Sequence, residues 1–237
     1  MEIFKYTLFL VALSSGTFIG LQPRTVQGLD ISHYQNKPNL SEAHTVGLSF
    51  VFIKATEGPT YKDPKFPTHF QEATDASFLR GGYHVARPDL SDGQDQARFF
   101  LSNGGGWTDD GKTLPGLLSI GIESDCAGMT IGETKQWIKS FVDEYEAATH
   151  RHPVIGTRNE WWVQCTGNTP EFNKQSALLL AHWGESVGTI PGGWRYATIW
   201  QYKEGGAWGG NSNIFTGDAE ALKRLAIGEQ DSSPTTA

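Results

Sequence analysis

Two acidic residues stand where a strand could deliver acid chemistry into a pocket. Asp30 lies two positions past Gly28 in the segment GLDISHYQ, and Glu123 closes the run Leu118-Ser119-Ile120-Gly121-Ile122-Glu123. Side chains at i and i+2 of a strand point to one face, so Ser119, Gly121 and Glu123 are expected to share a direction. Carboxyl groups held together in a pocket can give, take or stabilise charge during bond cleavage. On this face only Glu123 can do so. Tyr83 and Trp200, at strand ends, offer aromatic faces that suit a pyranose ring, although such positions serve equally well as core. Trp161 and Trp162 read as core packing beside a cysteine. Lys54 and Glu57 read either as an ion pair inside the fold or as substrate contacts. His33, His84 and His182 show no metal-ligand spacing, so neither a metal nor another cofactor is expected.

The elements that must position these residues alternate along the chain. Ser49–Ala55 (SFVFIKA) reads as a buried strand, rich in aromatic and β-branched residues. A helix is expected over Phe66–Ala76, a strand over Gly81–Ala86 and a helix over Gly93–Ser102, which Gly104-Gly105-Gly106 ends. Leu117–Ile122 reads as a strand. In the long helix Ile131–His150, Trp137, Phe141 and Tyr145 recur at a spacing of four. Strands follow at Pro153–Thr157, Ser176–Ala181 and Ala197–Tyr202, and Asp218–Ala226 closes as a helix. This alternation predicts an α/β fold, a single-domain irregular TIM-like β/α barrel with a mostly parallel sheet.

Composition bounds the class. The chain has 237 residues, 38% hydrophobic and 12% aromatic, enough for one large packed domain. Its net charge of −7 argues against a nucleic-acid partner and against a strong pull to an anionic surface. Residues 1–20 read as a secretory signal peptide: Lys5 supplies the positive charge, Tyr6 to Leu13 the apolar run, and Ser14, Ser15 and Gly16 the small residues. That run is too short to span a bilayer, so no membrane partner is expected. Cys126 and Cys165 are the only cysteines, and an even count in a secreted chain suggests one disulfide. Asn39-Leu40-Ser41 is an N-glycosylation sequon, meaningful for a secreted chain. Residues 229–237 form a polar tail.

Several longer segments carry a resemblance. Besides GLDISHYQ, they are Phe52-Ile53-Lys54-Ala55-Thr56-Glu57-Gly58, Gly82-Tyr83-His84-Val85-Ala86-Arg87-Pro88, and Leu114-Pro115-Gly116. Trp161-Trp162-Val163-Gln164-Cys165-Thr166-Gly167-Asn168, Trp200-Gln201-Tyr202 and Phe215-Thr216-Gly217-Asp218 complete the set. In this order and spacing, residues 28–228 resemble the family 25 glycoside hydrolases, the secreted lysozymes (N-acetylmuramidases) of fungal type. The resemblance implies a small irregular β/α barrel that cuts the muramic acid–glucosamine linkage of peptidoglycan. It also implies the Cys126–Cys165 disulfide.

Carried over position by position, the family's first-strand aspartate falls on Asp30. Its Asp-x-Glu falls on Ser119 and Gly121, its late aspartate on Asn211, and its strand tyrosine on Gly156. Retaining glycosidases hold two carboxyl groups only about 5–5.5 Å apart, so the expected site is degenerate. An alternative register makes Glu123 the family's acid. That slides the side chain by about 6.6 Å along the strand, against a tolerance of roughly 0.5 Å in a preorganised site.

The favoured reading is a secreted lysozyme-fold protein, catalytically impaired. It acts as a monomer and binds a cell-wall glycan, either peptidoglycan or a chitin-like oligosaccharide, through Asp30, Tyr83 and Trp200. The alternatives are an active muramidase using Glu123 and Asp30, and a scaffold for a protein-binding surface without glycan affinity.

Overall fold

The computed structural model describes residues 25–122 and 125–228. The expected signal peptide, the polar tail and Glu123 therefore lie outside the described residues. Eight strands close a barrel: β1 (Val26–Ile31), β2 (Leu48–Glu57), β4 (Leu79–Val85), β5 (Leu117–Ser119), β6 (Val154–Thr157), β7 (Leu178–Ala181), β8 (Ile199–Lys203) and β9 (Asn211–Phe215). Pairing runs parallel from β1 through β8, while β9 closes the ring antiparallel to both β8 and β1. The short β3 (Tyr61–Lys62) folds back on β2 as a hairpin.

Alternation along β2 shows how the sequence builds this wall. Phe50 and Phe52 point into the barrel, where Leu117, Val154, Leu179, Ile199 and Phe215 meet them. Val51 and Ile53 point outward and pack with Leu40, Ala43, Ala73 and Phe78 of the surrounding helical layer. Close packing needs room for the large rings. At Gly28 a Cβ would sit 2.5 Å from the Phe50 ring, so only glycine lets β1 pass beside it. Ala221, Leu222 and Ala226 of α6 (Ala219–Ile227) plug the N-terminal end of the barrel.

The other helices are α1 (Leu40–Thr45), α2 (Phe66–Asp75), α3 (Gly93–Phe100), α4 (Ile131–Thr149) and α5 (Asn159–Thr166). α4 starts with a capping box in which Thr130 and Glu133 satisfy each other's backbone amides. It buries Trp137, Ile138, Phe141 and Tyr145 against the barrel. The Gly116 N–H donates to the Tyr145 hydroxyl at 2.6 Å, and that hydroxyl donates to the Gly105 carbonyl at 3.0 Å. These bonds fix the entry to β5, and burial pushes the phenol up to about 12.

One expectation needs correction. β5 ends at Ser119 rather than running to Ile122. The reason is Gly121, whose φ of +71° is left-handed and breaks the extended chain. Ser119 and Gly121 are therefore not successive positions on one strand face. The Trp161-Trp162 segment lies on helix α5, where Trp161, Trp162 and Cys165 are buried as core. Cys126 and Cys165 form a disulfide with a Cα–Cα distance of 5.3 Å, tying α5 to the segment that follows β5. Asn39 is exposed and caps α1, accepting from the Glu42 N–H.

Candidate active site

A cleft of about 650 Å³ opens at the C-terminal end of the parallel strands. Barrel enzymes place their chemistry at this end because the loops that follow the strands converge there. The floor is polar. Asp30 comes from β1, Ser119 from β5, Gln201 from β8 and Asn211 from β9, with Gly121 following β5.

Asp30 is 8% exposed and sits where three amides meet. Its Oδ2 accepts from the side-chain amides of Gln201 and Asn213, each at 2.9 Å, and its Oδ1 accepts from Asn211 at 2.9 Å. Amide N–H groups can only donate, so this is the bonding pattern of a carboxylate acting as an acceptor. The network reaches the rim. The Trp183 indole N–H donates to Gln201 Oε1 at 3.2 Å, so the same amide links the rim to Asp30.

A second charged group lines the wall. Lys54 Nζ donates to Glu57 at 2.6 Å, and Arg87 reaches the other Glu57 oxygen at 3.4 Å. Burial alone would push the Glu57 carboxyl up, but the bonds and charges of Lys54 and Arg87 outweigh it and hold it below the usual value. Lys54 also lies over the Tyr61 ring at 5.2 Å. Lys54 and Glu57 thus form an ion pair, and both still face the cleft.

The aromatic residues fall differently from expectation. Tyr83 lines the cleft. Trp200 does not: on β8 it alternates with the inward Gln201, packs on Tyr202 and donates to the His182 carbonyl. Two aromatics that the sequence reading did not single out, Tyr34 and Trp183, line the rim and are 81% and 44% exposed. Strand parity was the available signal, because in β8 and β9 it turns Gln201, Asn211 and Asn213 inward together.

The histidines serve separate local networks. His33 Nδ1 bonds Asp63 at 2.8 Å. His84 is fully buried between Thr56 and Gln96, and burial lowers it to about 4. No group of three or more His, Cys, Asp or Glu among the described residues is arranged to hold a metal.

Comparison with known proteins decides the lineage. The pattern described as "Glycosyl hydrolases family 25" matches residues 29–211. The chain belongs to glycosyl hydrolase family 25. It is 45% identical to the N,O-diacetylmuramidase of Chalaropsis sp over 211 residues, covering 86% of this chain and all of that one. The solved muramidase of Trichobolus zukalii superposes with a TM-score of 0.84 at 50% identity, covering 86% of this chain and 99% of that one. The bacterial lysozyme of Streptomyces coelicolor gives 0.83 at 41% identity, covering 86% and 98%.

Within this family-25 barrel, the positions assigned by the motifs gather at one end. Asp30, Ser119, Gly121 and Asn211 all line the cleft. Gly121 is shaped by its neighbour: a Cβ there would lie 2.0 Å from the Trp161 indole, which α5 and a hydrogen bond to the Asp125 carbonyl hold in place. At Gly156 a Cβ would meet Leu117 at 2.9 Å, so apolar side chains occupy the space beside that strand.

Proposed function

We propose that this chain is a secreted family-25 protein that binds a cell-wall glycan and has lost efficient muramidase chemistry. The observation that carries the reading is Gly121. The family's glutamate falls on a position whose left-handed backbone and contact with Trp161 leave no space for any side chain. Ser119, where the partner aspartate falls, cannot act as a carboxylic acid.

The remaining groups support the same reading. Asp30 is held in place by hydrogen bonds from three side-chain amides. Glu57, held ionised by Lys54 and Arg87, is a poor proton donor at neutral pH. A glycosidase needs one group that protonates the leaving oxygen and a second that stabilises or attacks the sugar.

Glycan binding does not depend on those acids. Exposed faces at Tyr34 and Trp183 suit pyranose rings, Tyr83 stands deeper, and the Asp30–Asn211 pair presents polar atoms to hydroxyls. The muramidase relatives favour peptidoglycan over chitin-like oligomers as the ligand. The Cys126–Cys165 bridge supports an oxidising, extracytosolic destination.

The test pairs two assays on the purified full chain: clearing of bacterial walls beside an intact family member, and co-sedimentation with insoluble peptidoglycan. Binding without clearing is the expected outcome. Efficient clearing that disappears in Glu123→Gln would establish the active-muramidase reading instead.

A further inference from the structure

On the β1 side the cleft runs on into a row of aromatic rings. Tyr34, exposed on the rim, lies against the His33 ring at a centroid distance of 4.1 Å. His33 in turn lies 6.0 Å from the ring of Tyr61, which opens β3 and is 38% exposed. Lys54, a residue of the cleft wall, stands 5.2 Å over that same ring. The three rings form a shelf that leads from the cleft onto the β2–β3 hairpin, continuous with it through both Tyr34 and Lys54.

The shelf is braced from beneath by the buried side chain of Asp63. Its Oδ2 accepts from the His33 backbone N–H at 3.0 Å and from His33 Nδ1 at 2.8 Å, and its Oδ1 accepts from the Lys65 N–H at 2.9 Å. One acid thus ties the loop after β1 to the hairpin. Because a carboxylate only accepts, His33 Nδ1 carries the ring proton. The Tyr61 hydroxyl, 3.1 Å from that nitrogen, then keeps its own proton for a ligand oxygen. Rings fixed before binding lose little freedom when a ligand arrives.

The chemistry of the shelf selects a neutral ligand. Lys54 is committed to Glu57 at 2.6 Å, Asp63 is buried, and Lys62 turns to the Phe99 ring at 5.8 Å. Ring faces and a phenol hydroxyl remain on offer. A pyranose matches them, with apolar C–H faces for the rings and hydroxyls for the polar atoms. A charged stem peptide finds no counter-charge among these groups.

We infer that Tyr34 and Tyr61, with His33 between them, form an outer subsite for a further pyranose of the cell-wall glycan, beyond those held in the cleft. The inference rests on the glycan-binding reading of the cleft and extends it along the β2–β3 hairpin. It makes the length of the glycan strand a determinant of affinity, because only a strand long enough to leave the cleft on this side meets Tyr61.

Calorimetric titration of the full chain with peptidoglycan glycan strands of graded length, freed of their stem peptides, provides the test. A strand that reaches the shelf should bind about three- to tenfold more tightly than the next shorter one, the gain of one aromatic contact. Tyr61→Ala should remove that gain and leave the shorter strands unaffected. Tyr61→Phe, which keeps the ring, should retain most of it. Tyr61 is exposed, so both variants should keep their circular dichroism and thermal midpoint. A parent without the length step, a step that survives Tyr61→Ala, or an equal loss at every length would overturn the subsite while the cleft still binds glycan. Failure of the parent to bind strands of any length would instead overturn the glycan-binding reading, and the subsite with it.

Discussion

The side-chain amide of Asn211 donates to Oδ1 of Asp30 at 2.9 Å, between residues that face each other directly in the antiparallel β1–β9 pair. An amide at this place makes the neighbouring carboxylate comfortable. A carboxylate at 211 would put two acids in the same contact, where both cannot ionise without a large cost. The amide therefore stabilises the pocket floor.

Asn211→Asp should accordingly lower stability at neutral pH by on the order of 2–4 kcal/mol. The second carboxyl of the pair would have a folded-state pKa above its unfolded value. Its contribution is then fully present below the unfolded pKa and is lost as pH rises through the folded one. Thermal midpoints measured from acid to neutral pH should show the variant approaching the parent at low pH and falling away from it as pH rises. Superimposable curves would count against the contact.

Gly121 makes the site hard to restore. Gly121→Ala should cost roughly 2–4 kcal/mol, combining a left-handed backbone with an overpacked contact against Trp161. Urea unfolding gives this value directly. The combined Ser119→Asp, Gly121→Glu, Asn211→Asp variant follows from the motifs, but it is expected to fold poorly and not to gain wall clearing. Robust clearing by that variant would show that the loop after β5 can rearrange.

His84 should make the fold acid-sensitive. Its folded-state value near 4 lies below the ordinary 6.5 because burial disfavours the charged ring. A depressed value means the unfolded chain binds the proton first. Stability is full above about 6.5 and is lost as pH falls toward 4, by on the order of 3 kcal/mol. Chemical denaturation from neutral pH down to that region should show this loss. His84→Gln should lower stability at neutral pH and flatten the slope.

The rim aromatics carry the binding prediction. Trp183→Ala should weaken co-sedimentation with peptidoglycan by about tenfold, since it removes a stacking face and the donor to Gln201. Tyr34→Ala should give a smaller loss with unchanged stability, because the ring is largely exposed. Trp200→Phe, off the cleft, should leave binding unaltered. Equal loss at Trp200 would mean that the glycan runs along the outer wall.

Much of the architecture was legible before any coordinates. Alternation in SFVFIKATE marks β2, the spacing of Trp137, Phe141 and Tyr145 marks α4, and the long motifs identify the family. These signals are local, because strand and helix periods are written directly into neighbouring residues. That Ser119, Gly121 and Asn211 are not acids is likewise visible in the chain alone.

Tertiary structure decided what each of those positions faces. The sequence cannot show that Gly121 turns left-handed against Trp161, forty residues away on α5 and braced by the Cys126–Cys165 bridge. Nor can it show that Gln201, Asn211 and Asn213 converge on Asp30, or that Trp183 rather than Trp200 meets the cleft. Barrel closure brings β1 beside β9 across 180 residues, so the direction of each side chain depends on register between distant strands. Residue identity determined which chemical groups this protein has; only the closed barrel determined which of them meet.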